Sequence, residues 1–176
     1  KYEAFSNVLG MHLNEDEVSL LAIFLSPASQ VTHHAHVGIV VLAHGDSSAT
    51  SIANFANQVY GEECIIPVNA PLSKSQAEID ELLCRIVKSA QQGLGVLVLA
   101  EENCTAMTSE LLSKRTDCPC QIFSPNGVSF VLTAARLALF SNYSISEIAC
   151  QLDTQFWRQV AEREQRSGKT AKDFHI

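Results

Sequence analysis

Two uninterrupted apolar runs constrain the fold of this chain most strongly. They are VGIVVLA at residues 37–43 and GVLVLA at residues 95–100. A strand with one face in water alternates apolar and polar residues, whereas a strand covered on both faces is apolar throughout. Continuous runs are typical of parallel sheets whose two faces are both covered by helices. The sequence therefore predicts a parallel sheet inside an α/β protein.

Segments with helical character separate these runs from two weaker strand candidates. Strands are predicted at 37–43, 63–68, 95–100 and 120–124. Helices are predicted at about 47–60, 75–92, 105–115, 127–140 and 144–152, and Gly93 is interpreted as the residue that ends the second of them. Alternation at this spacing requires right-handed crossover connections. We predict a three-layer α/β/α sandwich with a mainly parallel sheet of four to five strands.

The two ends of the chain fall outside this alternation. NEDEVSLLAIFL at 14–25 predicts a helix, because Asn14 can cap it, acidic residues fill its first turn and Pro27 follows it. The predicted organisation is a preceding domain at 1–27, a linker at 28–36, the main domain at 37–152 and a C-terminal helix or linker at 153–176. Because the chain starts with Lys1, we expect it to be a fragment of a longer protein.

Length and charge narrow the class of protein. The 176 residues suffice for one domain with a sizeable core, and the formal net charge is −7 with no block of Lys and Arg. This charge argues against binding of nucleic acid or of an anionic membrane surface. No apolar run reaches the length of a membrane span, so no membrane insertion is expected.

The cysteines and histidines give no metal-site motif by spacing. Six cysteines are scattered without a preceding signal peptide, which favours free thiols in the cytoplasm. Cys118 and Cys120 are too close together for a CxxC pair. The histidines at 33, 34 and 36 lie in a polar stretch before a strand, which is typical of a solvated loop. We therefore predict no metal site.

Residues with useful chemistry follow three of the predicted strands. His44 follows the first strand, Asn69 the second, and Glu101 and Glu102 the third. In an open parallel sheet, ligands gather at the carboxyl ends of the strands. A carboxylate that accepts from Nδ1–H of an imidazole fixes the tautomer and leaves Nε2 as a nucleophile. It also stabilises positive charge that develops on the ring.

The residues after His44 suit an anion. Gly45 leaves space beside the ring, and Ser47 and Ser48 lie where the next helix begins, so its N–H groups and dipole can receive a phosphoryl group. Other interpretations stay open on residue chemistry alone, since His44 could be a hydrogen-bonded rim residue, Asn69 a turn residue and the acids exposed loop residues. No GxSxG, Walker A or GxGxxG pattern follows the first strand.

Three segments in order carry a resemblance to a known family. VGIVVLAHGDSSATSIANFANQVYG resembles the opening of the enzyme IIA component of the mannose family of the bacterial phosphotransferase system, in which a strand ends in the histidine that carries the phosphoryl group. VNAPLSKSQAEIDELLCRIVKSAQQGLGVLVLAEE is similar to the family's second strand, second helix and third strand. GVSFVLTAARLAL looks like a later helix. The resemblance covers residues 36 to 150.

The resemblance implies roles for the site residues. His44 would accept a phosphoryl group from the phosphocarrier protein HPr or a IIB component, Glu101 stands where the family has an orienting aspartate, and no metal or organic cofactor is needed. The phosphoryl oxygens would be held by residues near the strand ends, namely Gly45, Ser47, Ser48 and Asn69. This chain departs from the family in carrying Glu for Asp and Glu102-Asn103-Cys104-Thr105 for a Gly-rich turn.

The family also implies a homodimer. The apolar positions of the helix at 128–140 could supply its face, although a core helix needs the same stripe; they are Val128, Val131, Leu132, Ala135 and Leu139.

The N-terminal segment suggests the context of the domain. MHLNEDEVSLLAIFL resembles the last helix of a phosphotransferase-system regulation domain, which together with the IIA-like part looks like a levanase-operon type of sigma-54-dependent transcriptional activator. This fragment would then be a regulatory receiver in the cytoplasm that acts through neighbouring domains. Alternatives are a IIA domain of a sugar transporter or dihydroxyacetone kinase, an unphosphorylated interaction module, and a small hydrolase using His44 and Ser47.

Overall fold

The computed structural model describes residues 35–124 and 126–172, with side chains described through residue 163. The chain divides into two compact units, Lys1–His34 and Ala35–Ile176, and all described residues lie in the second. The predicted helix at 14–25 and most of the predicted linker lie outside the described residues. No helix in the described part is long and apolar enough to cross a membrane.

Strands and helices alternate through most of the described part, and two helices end it. The elements are β1 (His36–His44), α1 (Ser48–Tyr60), β2 (Ile65–Ala70), α2 (Gln76–Ala90), β3 (Gly93–Ala100), α3 (Ser109–Thr116), β4 (Cys120–Phe123), α4 (Val128–Phe140) and α5 (Ile145–Lys172). The strand order is β2-β1-β3-β4, and each neighbouring pair is parallel. The predicted α/β fold with a four-stranded parallel sheet is confirmed, and no fifth strand joins this sheet within the described residues.

Helices cover both faces of the sheet and create two cores. Successive strand residues point to opposite faces, so Ile39 and Val41 pack with α1, α4 and α5, whereas Val40 and Leu42 pack with α2 and α3. Each of these four side chains is at most 1% exposed. The continuous apolar run of β1 therefore serves two cores at once, as the sequence predicted.

The predicted start of the third helix is wrong. α3 begins at Ser109 rather than near residue 105, because Thr108 caps it through its side chain, which accepts a hydrogen bond from the Leu111 N–H at 3.2 Å. The Thr105 hydroxyl instead donates to Asp80 Oδ1 at 2.7 Å and accepts from the Met107 N–H. These bonds hold the segment before α3 against α2 in a non-helical conformation.

Three further boundaries differ from the prediction. β2 spans Ile65–Ala70 rather than 63–68, so Asn69 lies within this strand instead of following it. α2 ends at Ala90, and Gly93 does not end it but begins β3 in a left-handed conformation with φ of 102°. α5 continues as one helix from Ile145 to Lys172 instead of stopping near residue 152. Of the helix or linker predicted for 153–176, the structure has a helix through Lys172, because nothing in the tail breaks a helix before Gly168 and Gly is tolerated within helices at a modest cost.

The stripe predicted as a dimer face on α4 lies only partly in the core. Val131 and Ala135 are fully buried in the cluster shared with α1 and β1, Leu132 and Leu139 are half-buried, and Val128 is 40% exposed. Of the two interpretations that the sequence left open for this stripe, the core interpretation is the one the packing supports. The homodimer itself stays a prediction, and the two buried residues of the stripe cannot contribute to its face.

A side chain from β2 caps the N-terminus of α1. The N-cap residue Ser47 makes no side-chain cap bond. Instead, Asn69 Oδ1 accepts hydrogen bonds from the N–H groups of Ala49 and Thr50 at 3.0 and 3.3 Å, and its Nδ2 donates to Thr50 Oγ1 at 2.7 Å. The first turn of a helix lacks internal acceptors for its N–H groups, so Asn69 fixes the start of α1 against the sheet edge.

We expect Asn69→Ala to lower the free energy of unfolding by about 1–2 kcal/mol, the scale of a lost helix cap. Asn69→Asp should retain most of that stability, because a carboxylate oxygen can accept the same two N–H bonds. Chemical denaturation measures both values. Asn54→Ala, at an exposed position of the same helix, is the matched control and should change stability less. Equal stability of Asn69→Ala and the wild type would show that the cap is not needed.

Candidate functional site

His44 ends the central strand at the carboxyl edge of the sheet. Its partner in the register with β2 is Ala70, the last residue of that strand. Gly45 follows with φ of 95°, a left-handed conformation that favours glycine, and its N–H donates to the Ala70 carbonyl at 2.9 Å. The chain thus leaves the sheet immediately after the histidine, and the His44 side chain is 42% exposed at the rim.

Glu101 holds both the backbone and the ring of His44. The Glu101 N–H donates to the Leu42 carbonyl at 2.9 Å, which extends the pairing of β1 with β3 by one bond. Glu101 Oε2 accepts from the His44 N–H at 2.9 Å and lies 3.3 Å from His44 Nδ1. A carboxylate at this distance favours a proton on Nδ1 and leaves a lone pair on Nε2. The structure therefore brings these two predicted residues together, whereas Glu102 is exposed.

Cys104 is a third member of the site that the sequence interpretation missed. Its Sγ lies 3.0 Å from His44 Nδ1, and the residue is 2% exposed. A tight turn places it there: the Cys104 N–H donates to the Glu101 carbonyl at 3.2 Å, and Asn103 has φ of 61°. The sequence places Cys104 three residues after Glu101 in the loop that follows β3, but the turn that brings its thiol to the ring has no sequence signal of its own.

The Cys104 thiol is poorly suited to act as a nucleophile. Burial raises its pKa, and the negative charge of Glu101 raises it further, to about 11. The thiol is therefore protonated and neutral at neutral pH in the absence of a cation, and reactive cysteines have lowered rather than raised pKa values. The nucleophile of this site is the imidazole.

A crevice of about 170 Å³ opens beside the ring on the face of the sheet that carries α2. Its polar lining comes from the loop before α2, from α2 itself and from the loop after β3, and includes His44, Lys74, Gln76, Asn103 and Cys104. The Gln76 side chain donates to the Cys104 carbonyl at 3.1 Å and fixes that wall. The crevice has room for a small anion next to the imidazole.

The other residues predicted to hold the phosphoryl group do not line this crevice. Ser47, Ser48 and Asn69 are absent from its lining. Ser48 Oγ is close to Gly45, 3.2 Å from where a β-carbon would stand, and the backbone N–H groups of Ser47 and Ser48 have no protein acceptor within the described ranges. Both the oxygen and the nitrogen of the Asn69 side-chain amide form hydrogen bonds to α1. Asn69 therefore caps this helix rather than contacting His44.

Comparisons with known proteins give a family match and a curated relative. Residues 38–141 match the EIIA-man family, described as the PTS system fructose IIA component. The transcriptional regulatory protein LevR of Bacillus subtilis is 29% identical over 155 residues, which cover 88% of this chain and 17% of LevR. The chain therefore spans about a sixth of the length of this curated relative.

Two solved structures share the fold. A sigma-54 interaction domain protein from Enterococcus faecalis superposes with a TM-score of 0.67 and 26% identity, over 73% of this chain and 96% of that one. The phosphotransferase system component EIIA from Streptococcus agalactiae has a TM-score of 0.55 and 20% identity, over 67% and 90% of the two chains, which shows likeness of fold alone. The family match extends over more than half of the sequence, and the chain belongs to the EIIA-man family of the phosphotransferase system.

Proposed function

We propose that this chain accepts a phosphoryl group on Nε2 of His44 from a phosphohistidine donor, either the phosphocarrier protein HPr or a IIB component. The single observation that carries the proposal is the contact of Glu101 Oε2 with His44 Nδ1 at 3.3 Å, on a ring that is 42% exposed. Membership of a family described as a phosphotransferase component supports the same reaction class. The paired and accessible imidazole is what a phosphoryl acceptor requires.

The proposed step uses only groups of the two proteins. The Nε2 lone pair of His44 attacks the phosphorus atom, the P–N bond of the donor breaks, and its electron pair returns to the donor imidazole. The proton on His44 Nδ1 stays in place beside Glu101, so the phosphorylated ring is cationic and faces a carboxylate. An electrostatic partner fixed in advance stabilises this charge without reorganisation during transfer. No metal or organic cofactor takes part in this step.

Several groups near the ring could receive the phosphoryl oxygens. Lys74 lines the crevice beside His44 and supplies a positive charge. Ser47 and Ser48 follow His44 closely in the sequence, and their hydroxyls and N–H groups at the start of α1 offer neutral donors where the helix dipole also favours an anion. A side chain at position 45 would place its β-carbon 3.2 Å from Ser48 Oγ. The glycine therefore leaves the Ser48 hydroxyl accessible from this side.

We further propose that the domain belongs to a transcriptional regulator rather than to a sugar transporter or a dihydroxyacetone kinase. The support is the similarity to LevR. Its alignment covers 155 residues, more than the family match at 38–141, so the similarity extends beyond the matched domain on at least one side. In this proposal residues 1–27 end a regulation domain, and the protein acts in the cytoplasm. With a net charge of −7, the fragment passes its state to neighbouring domains and does not bind DNA itself.

We expect His44→Ala to abolish phosphorylation when the chain is incubated with phosphoenolpyruvate, enzyme I and HPr. Intact-mass analysis should show one acid-labile, base-stable phosphoryl group on the wild type and none on the variant. His33→Ala and His34→Ala are matched controls and should both be phosphorylated. A phosphoryl group that persists in His44→Ala would contradict the assignment, and failure of the wild type would favour the unphosphorylated interaction module.

We expect Glu101→Gln to slow phosphorylation by about 10- to 1,000-fold, the range lost with orienting or charge-stabilising groups. The amide oxygen can still accept the His44 N–H bond, so the fold should persist while the negative charge beside Nδ1 is lost. Glu102→Gln removes a neighbouring exposed charge and should leave the rate nearly unchanged. Equal rates for the two variants would reduce Glu101 to a structural role.

A further inference from the structure

We propose that His44, Glu101 and Cys104 form a binding site for Zn²⁺ that has three protein ligands and one open position. The ligand atoms are an imidazole nitrogen, a carboxylate oxygen and a thiol sulfur, and all three lie within 4.8 Å of one another. The site shares its histidine with the proposed phosphorylation site but is a separate binding activity. It was not expected from the sequence, because the cysteines and histidines show no zinc spacing.

Two of the three distances between ligand atoms are close to those around one tetrahedral ion. His44 Nδ1 is 3.0 Å from Cys104 Sγ and 3.3 Å from Glu101 Oε2. Zinc bonds of about 2.0–2.3 Å at tetrahedral angles separate the ligand atoms by roughly 3.3–3.6 Å. Cys104 Sγ therefore needs to withdraw by only a few tenths of an ångström from the ring, and Glu101 has side-chain freedom because it is 48% exposed.

The loop after β3 has the form of a metal-binding turn. Glu101 and Cys104 are separated by two residues, the same separation as in the CxxC turns of zinc sites. The Cys104 N–H bond to the Glu101 carbonyl and the left-handed Asn103 close this turn, so both ligands face His44. The Gln76 side chain holds the Cys104 carbonyl from outside and fixes the turn further. Two of the three ligands are thus positioned by the backbone before any ion binds.

The chemistry of the three ligand atoms decides which class of metal ion fits the site. Thiolate and imidazole ligands favour Zn²⁺ over Mg²⁺ and Ca²⁺, which require several oxygen ligands. Within the described ranges, this is the one group of three or more such side chains close enough to share an ion. Three protein ligands leave a fourth position, which is typical of zinc sites that exchange a water or an anion. The crevice lined by Lys74 and Gln76 borders His44 and Cys104 and gives access to that position.

Zinc and the phosphoryl group should exclude each other, a consequence that rests on the proposed function. A zinc ion on Nδ1 displaces the proton there, and a neutral imidazole then carries its proton on Nε2, which removes the lone pair that attacks phosphorus. Phosphorylation on Nε2 in turn keeps Nδ1 protonated and engaged with Glu101. By linkage, the factor by which zinc weakens phosphorylation equals the factor by which phosphorylation weakens zinc binding.

Metal titration of the full 176-residue chain under a non-thiol reductant tests the site without any phosphorylation. We expect one Zn²⁺ per chain by competition with a chromogenic chelator, and Co²⁺ should give a thiolate-to-cobalt charge-transfer band. Loss of a residue that hydrogen-bonds to a metal ligand lowers metal affinity by about 10- to 100-fold. Loss of a ligand itself, in His44→Ala or Cys104→Ala, should therefore lower the affinity for zinc at least about 100-fold. Glu101→Gln should also weaken it.

The controls separate this site from other thiols and histidines. Cys150→Ala, at an exposed cysteine, and the double variant His33→Ala/His34→Ala should bind zinc like the wild type. Unchanged affinity and an unchanged cobalt band in Cys104→Ala would overturn the proposal, as would loss of binding in the double histidine variant. Circular dichroism checks that each variant is folded. If Cys104→Ala unfolds, the zinc affinity of Glu101→Gln, a substitution at an exposed position, tests the site independently.

Phosphorylation assays with and without a chelator then test the exclusion. We expect phosphorylation in the presence of the chelator and at least about 10-fold slower transfer when zinc saturates the chain, with Cys104→Ala insensitive to zinc. Binding of zinc without any effect on the rate would overturn the mutual exclusion. Failure of phosphorylation with the chelator present would contradict the proposed function, while the titration would still decide the zinc site.

Discussion

The parallel pairing of β1 with β2 and β3 is the constraint on which the rest of the structure depends. Because all strands run in one direction, their carboxyl ends share an edge. His44 and Glu101 are 57 positions apart in the sequence, yet both lie at this edge. The Glu101 N–H bond to the Leu42 carbonyl continues that pairing past the end of β3. Asn126, from the segment before α4, donates to the same carbonyl at 3.0 Å. The sheet edge therefore fixes the contact of Glu101 with the imidazole, and the turn after β3 adds Cys104 to it.

The pleat of the sheet then decides which edge residues can share a site. His44 continues the face of Val40 and Leu42, which is the side of α2 and of the crevice. Asn69 lies between Val68 and Ala70 of that same face, so its side chain points the other way and reaches α1. Knowing from the sequence that two strand ends are neighbours does not tell on which face of the sheet a side chain lies. The alternation of side chains along each strand gives the face, and it can be read from the sequence once the register is known.

Sequence reasoning predicted the features that have a periodic cause and missed those that depend on single contacts. Continuous apolar runs identified β1 and β3 and the parallel sheet, because burial on both faces leaves no other pattern. The start of α3 was misplaced because the side chain of Thr105 bonds to Asp80, a contact between residues 25 positions apart. Cys104 was treated as one of several scattered thiols, since its place beside His44 depends on a turn closed by the left-handed Asn103. Two neighbouring strand ends predicted that a carboxylate would lie beside His44, but they left Glu101 and Glu102 both open, and the family resemblance singled out Glu101.

The acidic character of this edge bears on how the domain would signal. Glu101 touches the ring, and Asp46 and Glu102 are exposed nearby in sequence, while the chain as a whole carries a net charge of −7. In the proposed function, a phosphoryl group would add about 1.5–2 negative charges to this edge, and the imidazolium and Lys74 would offset part of that charge. The modification would change the charge of one exposed edge without moving the sheet, so a neighbouring domain that docks there with a complementary surface would respond to it alone.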